Sequence, residues 1–341
     1  MAVCLEPAGS IAEDLRLRRY RSALCASAGF RVTDVFGPDT ALLERQYALI
    51  YVHHPVLVEA VRDGLALRSG LWVLDATLGL GGHAEAILEA IGPSGHLIGT
   101  DRDAEALELA RKRLERFKER VMFLHGNFSE LAELLGGAGI KGLDAVLFDL
   151  GVSSLQLEEA GRGFSFAREG PLDMRMDQEE RTTAEEVVNK TPLPALKEWI
   201  RSFGQERWAG RVARAIVRDR PFSSTAQLAE TIRRAVPPRF RHGRIDPATR
   251  TFQAIRIVVN RELELLPAGL RQAVDQLRPG GRIAVLAYHS LEDRIVKVSF
   301  REGAAAGSLR LITRKPIRPS EEEVTENPRA RSACLRIAER L

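Results

Sequence analysis

The sequence contains few cysteines and no long apolar run. The three cysteines, Cys4, Cys25 and Cys334, are scattered and lack the spacing of metal ligands, which excludes a disulfide framework and a cysteine-based zinc site. No stretch approaches the roughly 18 unbroken apolar residues that a membrane-spanning helix requires. These absences predict a globular cytoplasmic protein with no membrane partner.

The chain has 341 residues, which is enough for two domains or for one domain with a large insertion. Residues 1–50 include an arginine cluster but no apolar signal core, and their acidic residues argue against an organelle transit peptide. We interpret residues 1–50 as an extension of unknown role.

Positive charge is concentrated in one middle segment. Residues 181–256 contain 16 Lys or Arg and 7 Asp or Glu, a net charge of +9, in a chain whose net charge is +4. The remainder of the chain is therefore acidic, with a net charge of −5. Such an asymmetry is expected if the middle segment faces a polyanion.

Residues 51–150 alternate short apolar runs with amphipathic segments, the pattern of βαβ units in a parallel sheet. The predicted strands and helices are, in chain order, Leu71–Leu74, a helix from His83 to Ala90, Leu97–Thr100, a helix from Ala104 to Phe117, Val121–Leu124 and Ala145–Leu150.

A second α/β stretch begins near Thr249. Apolar residues from Phe252 to Leu266 recur at spacings of three and four, which predicts one buried helix face. A strand from Arg282 to Tyr288 and two strand-like runs, Leu309–Thr313 and Cys334–Ala338, follow. The last two runs predict a closing antiparallel strand pair.

The region between these stretches, Leu193–Val236, has helical periodicity that is broken by Gly204 and by prolines. Ser224 and Gln227 have the spacing of a capping box. We expect a helical insert here.

A glycine-rich loop directly after the first predicted strand is the strongest local motif. It reads Asp75-Ala-Thr-Leu-Gly79-Leu-Gly81-Gly82-His83 and opens into a helix. Glycines let the backbone approach a ligand closely, and the free N–H groups of a helix start favour an anionic or oxygen-rich group. The pattern also fits a dinucleotide fingerprint, or a tight turn needed only for packing.

Candidate ligand-binding residues follow each of the next three strands. Asp101, 22 residues after Gly79, is placed to accept hydrogen bonds from ribose hydroxyls, while Asp103 is better placed to cap the next helix. Phe128 lies in a strand-to-helix loop, where it either packs on an adenine ring or belongs to the core. Asp149 ends the fourth strand and would face the ligand crevice of a parallel sheet, or cap the following turn.

The ordered motifs of the chain resemble the bacterial ribosomal RNA small-subunit methyltransferase H family from about Val52 to the C-terminus. The motifs that carry the resemblance are His54-Pro-Val-Leu57, the glycine-rich loop, Asp149-Leu-Gly-Val-Ser-Ser154, Arg162-Gly-Phe-Ser-Phe166, Gly170-Pro-Leu-Asp173-Met-Arg175-Met-Asp177, Thr249-Arg-Thr-Phe-Gln253-Ala-Ile-Arg256, His289-Ser-Leu-Glu-Asp293-Arg294 and Glu326-Asn-Pro-Arg-Ala-Arg331. Ala84 stands where that family often has serine, and residues 1–50 have no counterpart in it.

The resemblance implies a Rossmann-like class I methyltransferase fold, with a doubly wound, mostly parallel sheet, and transfer of a methyl group from S-adenosyl-L-methionine to N4 of a cytidine in the decoding region of 16S ribosomal RNA. The implied partner is small-subunit ribosomal RNA, and we expect it within the assembled 30S subunit, although the sequence leaves free RNA open as the substrate. No bound metal is invoked. The implied cofactor contacts are Gly81, Gly82, His83, Asp101, Phe128, Asp149 and Gln156.

Cytosine N4 is a poor nucleophile because its lone pair is delocalised into the ring. We therefore expect an acceptor that holds the amine hydrogens and leaves the lone pair aimed at the methyl group. Asp149 is the candidate catalytic residue, and a carbonyl in the turn at 150–154 is the alternative acceptor. The sequence leaves open whether Asp149 contacts the amine or orients the cofactor.

Two segments are candidates for contact with RNA. The loop 162–177 is expected to form a wall of the pocket for an unstacked base, with Asp173 and Arg175 as candidate contacts. On the predicted helical insert, four arginines spaced by four, three and four residues form one stripe next to an apolar face with Trp208 and Val212, and we expect them to follow phosphates. These arginines are Arg207, Arg211, Arg214 and Arg218.

The sequence thus predicts four segments: an extension at 1–50, a methyltransferase domain in two parts at 51–155 and 246–341, and a basic helical insert for RNA recognition at 156–245. Three alternatives remain open. They are a nicotinamide-dependent oxidoreductase, a non-catalytic RNA-binding factor, and a methyltransferase for DNA or another RNA. The oligomeric state is also open.

Overall fold

The computed structural model describes residues 55–341 except 242 and 244. The extension at 1–50, Cys4, Cys25 and Arg244 lie outside the described residues. Within the described part, seven strands form one sheet. They are β1 (Trp72–Asp75), β2 (His96–Asp101), β3 (Val121–His125), β4 (Leu143–Asp149), β5 (Leu277–Ala287), β6 (Leu309–Leu311) and β7 (Cys334–Arg340).

The sheet has the strand order β3-β2-β1-β4-β5-β7-β6. The first five strands in this order pair in parallel, whereas β7 runs antiparallel to both β5 and β6. The predicted doubly wound sheet and its closing antiparallel pair are therefore confirmed. The strand order reverses direction between β1 and β4, and in open α/β sheets ligands bind at such a switch point, outside the carboxyl ends of the strands.

Helices connect the strands and form the insert. Those of the sheet domain are α1 (Val58–Gly64), α2 (Gly82–Ala90), α3 (Ala104–Arg113), α4 (Leu131–Gly137) and α5 (Ser154–Glu158). Those that follow before β5 are α6 (Ala184–Lys190), α7 (Leu193–Ser202), α8 (Ala209–Asp219), α9 (Thr225–Ala235), α10 (Ala248–Val259) and α11 (Glu262–Gln276). The last two are α12 (Ser290–Ala305) and α13 (Glu321–Glu326). None of the helices in the described ranges is long and apolar enough to cross a membrane.

Alternate residues of the central strands point to opposite faces of the sheet. Val73 packs in a cluster with residues of α2 and α3, while its neighbour Leu74 packs with residues of α4, α11 and α12, as the two-residue period of a strand requires. A third cluster, between Phe164 and Val259, joins the helices α6 to α10.

Two expectations about helices were wrong. The helix predicted to reach Phe117 ends at Arg113 and continues as a 3-10 segment, Glu115–Arg120. The single helix face expected from Phe252 to Leu266 belongs to two helices, because the chain turns at Asn260 and Arg261, which has a φ of 51°. Asn260 ends α10 and uses its side-chain amide to bind the backbone of Met174 and Met176.

The capping at the start of α9 is partly as expected. The Ser224 hydroxyl accepts a hydrogen bond from the Gln227 N–H, but the Gln227 side chain accepts from the N–H of Ser223 instead of Ser224.

Among the described residues, Cys334 is a buried free cysteine, and its thiol donates a hydrogen bond to the Asp293 carboxylate.

Candidate functional site

Three aspartates end neighbouring strands at one edge of the sheet. Asp75, Asp101 and Asp149 are the last residues of β1, β2 and β4, and β1 lies between the other two strands. Burial and, to a lesser extent, the negative charges of Asp149 and Asp101 raise the pKa of Asp75 to about 8, against the lowering effect of a hydrogen bond from the Thr77 N–H. Three carboxyl groups therefore crowd the switch point, where a positively charged ligand would relieve their repulsion.

The glycine-rich loop lies beside these carboxyl groups. Gly79 and Gly81 adopt left-handed backbone conformations, with φ of 50° and 77°, which glycine reaches without steric cost. Gly81 is the N-cap of α2 and offers no side-chain cap, so Gly82 and His83 begin the helix with backbone N–H groups directed outward from its first turn. This arrangement suits the oxygen-rich group that the sequence predicted.

Asp101 is fixed by the backbone on both of its oxygens. Its Oδ2 accepts from the Gly79 N–H at 2.7 Å, and its Oδ1 accepts from the Asp103 N–H at 2.9 Å. Burial raises the pKa of Asp101, although these two hydrogen bonds lower it. Asp103 caps α3 through the Ala106 N–H, as the sequence predicted. The ribose contact of Asp101 stays a prediction.

Asp149 has a hydrogen-bond partner that sequence reasoning missed. The Tyr288 hydroxyl donates to Asp149 Oδ1 at 2.7 Å, and the Asp149 N–H donates to Thr77 Oγ1 at 2.6 Å. Burial raises the pKa of Asp149 to about 7, against the lowering effect of the Tyr288 hydrogen bond. Tyr288 directly follows β5, so the strand-end rule that singled out Asp149 would also have found it.

His83 faces the same carboxylate. Its imidazole is only 5% exposed, and Nε2 lies 3.5 Å from Asp149 Oδ2. Burial and, to a lesser extent, the nearby Arg113 lower the pKa of His83 to about 4. The imidazole is therefore neutral, and among the described residues its Nε2 has no hydrogen-bond partner. A buried polar atom without a partner beside the site is a candidate ligand contact.

Phe128 packs against the core and is only partly buried. Its ring packs edge-on against Phe148, with centroids 5.7 Å apart. It also lies so close to Gly269 that a Cβ atom there would be 2.5 Å from Cδ2 of the ring. The ring is half-buried, which leaves both sequence interpretations in place.

Gln156 is engaged by the protein itself. Its Oε1 accepts from the Ser153 N–H in a capping box at the start of α5, and its Nε2 donates to Asp103 Oδ2 at 2.9 Å. Its side chain is buried. Gln156 therefore supports the neighbour of Asp101, and direct contact with a cofactor stays a prediction.

Asp173 and Arg175 bind each other. The Arg175 guanidinium donates to both oxygens of Asp173 and to the carbonyls of Gln178 and Glu180. Although burial by itself would raise the pKa of Asp173, the hydrogen bonds from Arg175 hold it below its usual value. The pair shapes the loop 162–177, and its contact with a substrate stays a prediction.

The four stripe arginines are all exposed along or next to α8, and the adjoining Val212 and Ala215 are buried, as expected. Arg218 donates to Asp219 at 2.6 Å. The Arg207 guanidinium instead lies over the rings of Trp208 and Phe240, 4.8 Å from each centroid. Among the described carboxylates, none forms an ion pair with Arg207, Arg211 or Arg214, so these cations remain available to an outside anion.

Sequence reasoning also missed a cluster of charged residues next to Tyr288. Buried Glu292 accepts from the Tyr288 N–H at 2.9 Å, and His289 Nε2 lies 3.2 Å from its other oxygen. Nearby, Arg256 donates to both oxygens of Glu262 at 2.8 Å. Ligand atoms of Glu262, His289 and Glu292 lie within 4.8 Å of one another, close enough to hold a metal ion, but Arg256 already neutralises Glu262.

Comparisons with known proteins agree with the family resemblance of the sequence motifs. Residues 50–341 match the model of the MraW methylase family. Three relatives, each named ribosomal RNA small subunit methyltransferase H, come from Koribacter versatilis, Pelobacter propionicus and Thermomicrobium roseum. They are 49%, 48% and 47% identical to this chain over 85%, 85% and 89% of its length, and over 94%, 99% and 98% of their own. The chain therefore belongs to the MraW methylase family.

Proposed function

We propose that the protein is an S-adenosyl-L-methionine-dependent methyltransferase that methylates N4 of a cytidine in the decoding region of 16S ribosomal RNA. The observation that carries the proposal is Asp149, a partly buried strand-end carboxylate that is held by Tyr288 and whose N–H donates to Thr77 of the glycine-rich loop. The relatives are named as methyltransferases of small-subunit ribosomal RNA, which supports that RNA as the substrate. That substrate would place the enzyme in the cytoplasm.

The residues at the switch point fit S-adenosyl-L-methionine. The three crowded carboxyl groups suit its positive charge, the uncapped start of α2 suits its carboxylate, and the fixed Asp101 carboxylate retains lone pairs for ribose hydroxyls. The orphaned Nε2 of His83 is a further polar contact. Phe128 would lie against the adenine ring, and Gly81 and Gly82 would let the backbone approach. When bound, the cofactor supplies an electrophilic methyl group.

Asp149 would act on the target amine. A carboxylate accepts hydrogen bonds, so its deprotonated form can hold an amine N–H and direct the nitrogen lone pair. The Tyr288 hydroxyl fixes one oxygen and leaves the other, Oδ2, on the side of His83. Because His83 is neutral, it does not trap Asp149 in a salt bridge. The pKa of about 7 also lets Asp149 receive the proton that the amine loses.

The helical segment 156–245 would recognise the RNA. Its apolar residues form, together with those of α10, a hydrophobic cluster that is separate from the two clusters that pack on the sheet. Its exposed arginines provide cations for phosphates. Asp173 and Arg175 would hold the loop 162–177 as a wall for the unstacked base. We propose residues 51–155 and 246–341 as the catalytic domain and the assembled 30S subunit as the substrate particle.

Methyl transfer to unmodified small subunits tests the proposal. We expect radiolabel from S-adenosyl-L-methionine to appear in N4-methylated cytidine, and we expect Asp101→Ala to lose most of the label through weaker cofactor binding. Label in another nucleoside, or in DNA, would change the substrate. Cofactor binding without any label would favour a non-catalytic RNA-binding factor, and tight NAD binding without S-adenosyl-L-methionine binding would favour an oxidoreductase.

Tyr288→Phe is expected to shift the pH dependence of methyl transfer. The active form of Asp149 is deprotonated, so kcat/KM should rise with pH through about 7. The Tyr288 hydroxyl lowers the pKa of Asp149, so its removal should move the midpoint to higher pH and reduce activity more at pH ~6.5 than at pH ~8.5. A pH–rate profile of both proteins measures this shift. Identical midpoints would show that Asp149 does not set the profile.

A further inference from the structure

Arg162, the first residue of the loop 162–177, binds both Asp103, next to Asp101 at the sheet edge, and the far end of its own loop. Its side chain is 7% exposed. The guanidinium donates to Asp103 Oδ2 at 2.8 Å, and the same nitrogen donates to the carbonyls of Arg175 and Met176 at 3.1 and 3.0 Å. The other terminal nitrogen donates to Asp103 Oδ1 and to Glu105. One planar cation therefore holds two separate segments of the chain.

On the sheet side, the contacts lead to the residues proposed to bind the cofactor. The N–H of Asp103 donates to Asp101 Oδ1 at 2.9 Å, and the other Asp101 oxygen accepts from Gly79. Gln156 shares Asp103 Oδ2 with Arg162. A displacement of Asp103 would therefore disturb both Asp101 and Gln156.

On the loop side, the contacts fix the backbone next to Asp173 and Arg175. The Met174 N–H donates to the Arg162 carbonyl at 3.0 Å, and Asn260 binds Met174 and Met176 from α10. Gly163, with φ of 71°, lies so close to Pro171 that a Cβ atom would be 2.2 Å from the Pro171 carbonyl oxygen. The loop is therefore closed on itself around Arg162.

We propose that Arg162 is a positioning residue that couples cofactor binding to RNA binding. The inference rests on the proposed function, because it takes Asp101 as a cofactor contact and the loop 162–177 as an RNA contact. A cofactor bound to Asp101 would add a contact to the chain of hydrogen bonds that runs from Asp101 through Asp103 to Arg162, and Arg162 holds the carbonyls of Arg175 and Met176. Coupling between two binding sites is reciprocal, so RNA must raise cofactor affinity by the same factor.

The variant Arg162→Lys tests whether the coupling needs the planar guanidinium or only its positive charge. Lysine keeps a cation for Asp103, but as a point charge it cannot reproduce the planar fork that reaches Asp103 and two carbonyls together. Arg278→Lys is the matched control, since Arg278 pairs with Asp144 at 2.7 Å near the opposite end of β4. Equilibrium dialysis would measure binding of radiolabelled S-adenosylhomocysteine, alone and with saturating unmodified small subunits.

For the wild type and for Arg278→Lys, we expect the particles to raise S-adenosylhomocysteine affinity by at least about 5-fold. For Arg162→Lys, we expect affinity without particles to stay within about 3-fold of wild type, while the enhancement by particles disappears and kcat falls more than KM changes. A purely structural role would instead weaken binding of each ligand alone and keep the enhancement.

Absence of any enhancement in the wild type, or its full retention in Arg162→Lys, would overturn the inference. The wild-type measurement decides this even if the variant fails to fold. Failure of the proposed function looks different, because the wild type would then not bind S-adenosylhomocysteine or would not methylate the particles at all.

Discussion

Asp149→Asn is expected to lower kcat for methyl transfer by about 100-fold or more, with a much smaller change in S-adenosylhomocysteine affinity. The side-chain amide keeps the shape of Asp149 and can still accept from Tyr288. It loses the negative charge that holds the amine N–H and accepts the proton. The effect should therefore appear in the chemical step, as measured by single-turnover transfer of radiolabel to unmodified small subunits.

Asp144→Asn provides the control on the same strand. Asp144 lies near the start of β4, where its carboxylate accepts from the Trp72 N–H and pairs with Arg278, away from the carboxyl end that carries Asp149. It should retain kcat close to wild type. Equal kcat for Asp149→Asn and wild type would contradict the proposed role of Asp149 and favour a carbonyl of the turn at 150–154 as the acceptor.

Replacement of Arg207, Arg211 and Arg214 together by glutamine is expected to raise the Kd for small subunits by roughly 100-fold at low salt. These side chains are exposed and have no carboxylate partner among the described residues, so their charge is available to phosphates. Removal of three phosphate contacts should also reduce the slope of log affinity against log salt by about 2. Filter binding across a salt series measures both quantities.

Arg218→Gln is the matched control on the same helix. Asp219 already neutralises Arg218 through two hydrogen bonds of 2.6 and 3.1 Å. Loss of the Arg218 charge should therefore change the salt slope less than the loss of one arginine without a carboxylate partner. A triple variant with an unchanged slope would show that RNA binds elsewhere. A large effect of Arg218→Gln alone would mean that the ion pair opens when RNA binds.

Local sequence patterns were sufficient to predict most strands of the sheet. Apolar runs separated by amphipathic segments specify parallel βαβ units, and parallel strands bring their carboxyl ends to one edge. The convergence of Asp101 and Asp149 near the glycine-rich loop could therefore be predicted without coordinates. The resemblance in ordered motifs indicated the family, which the match over residues 50–341 confirmed.

The sequence by itself thus determined the architecture, the family and the strand-end carboxyl groups, because these depend on short-range periodicity and on ordered motifs. Only the tertiary structure decided that Tyr288 binds Asp149, that Arg162 joins Asp103 to the loop, and that Arg218 is paired while Arg207 is not. These contacts join residues that are far apart in the chain, or depend on side-chain direction, and no local pattern encodes them. The raised pKa values of Asp75 and Asp149 depend on burial by the whole fold, since removal of water is what disfavours the charged form.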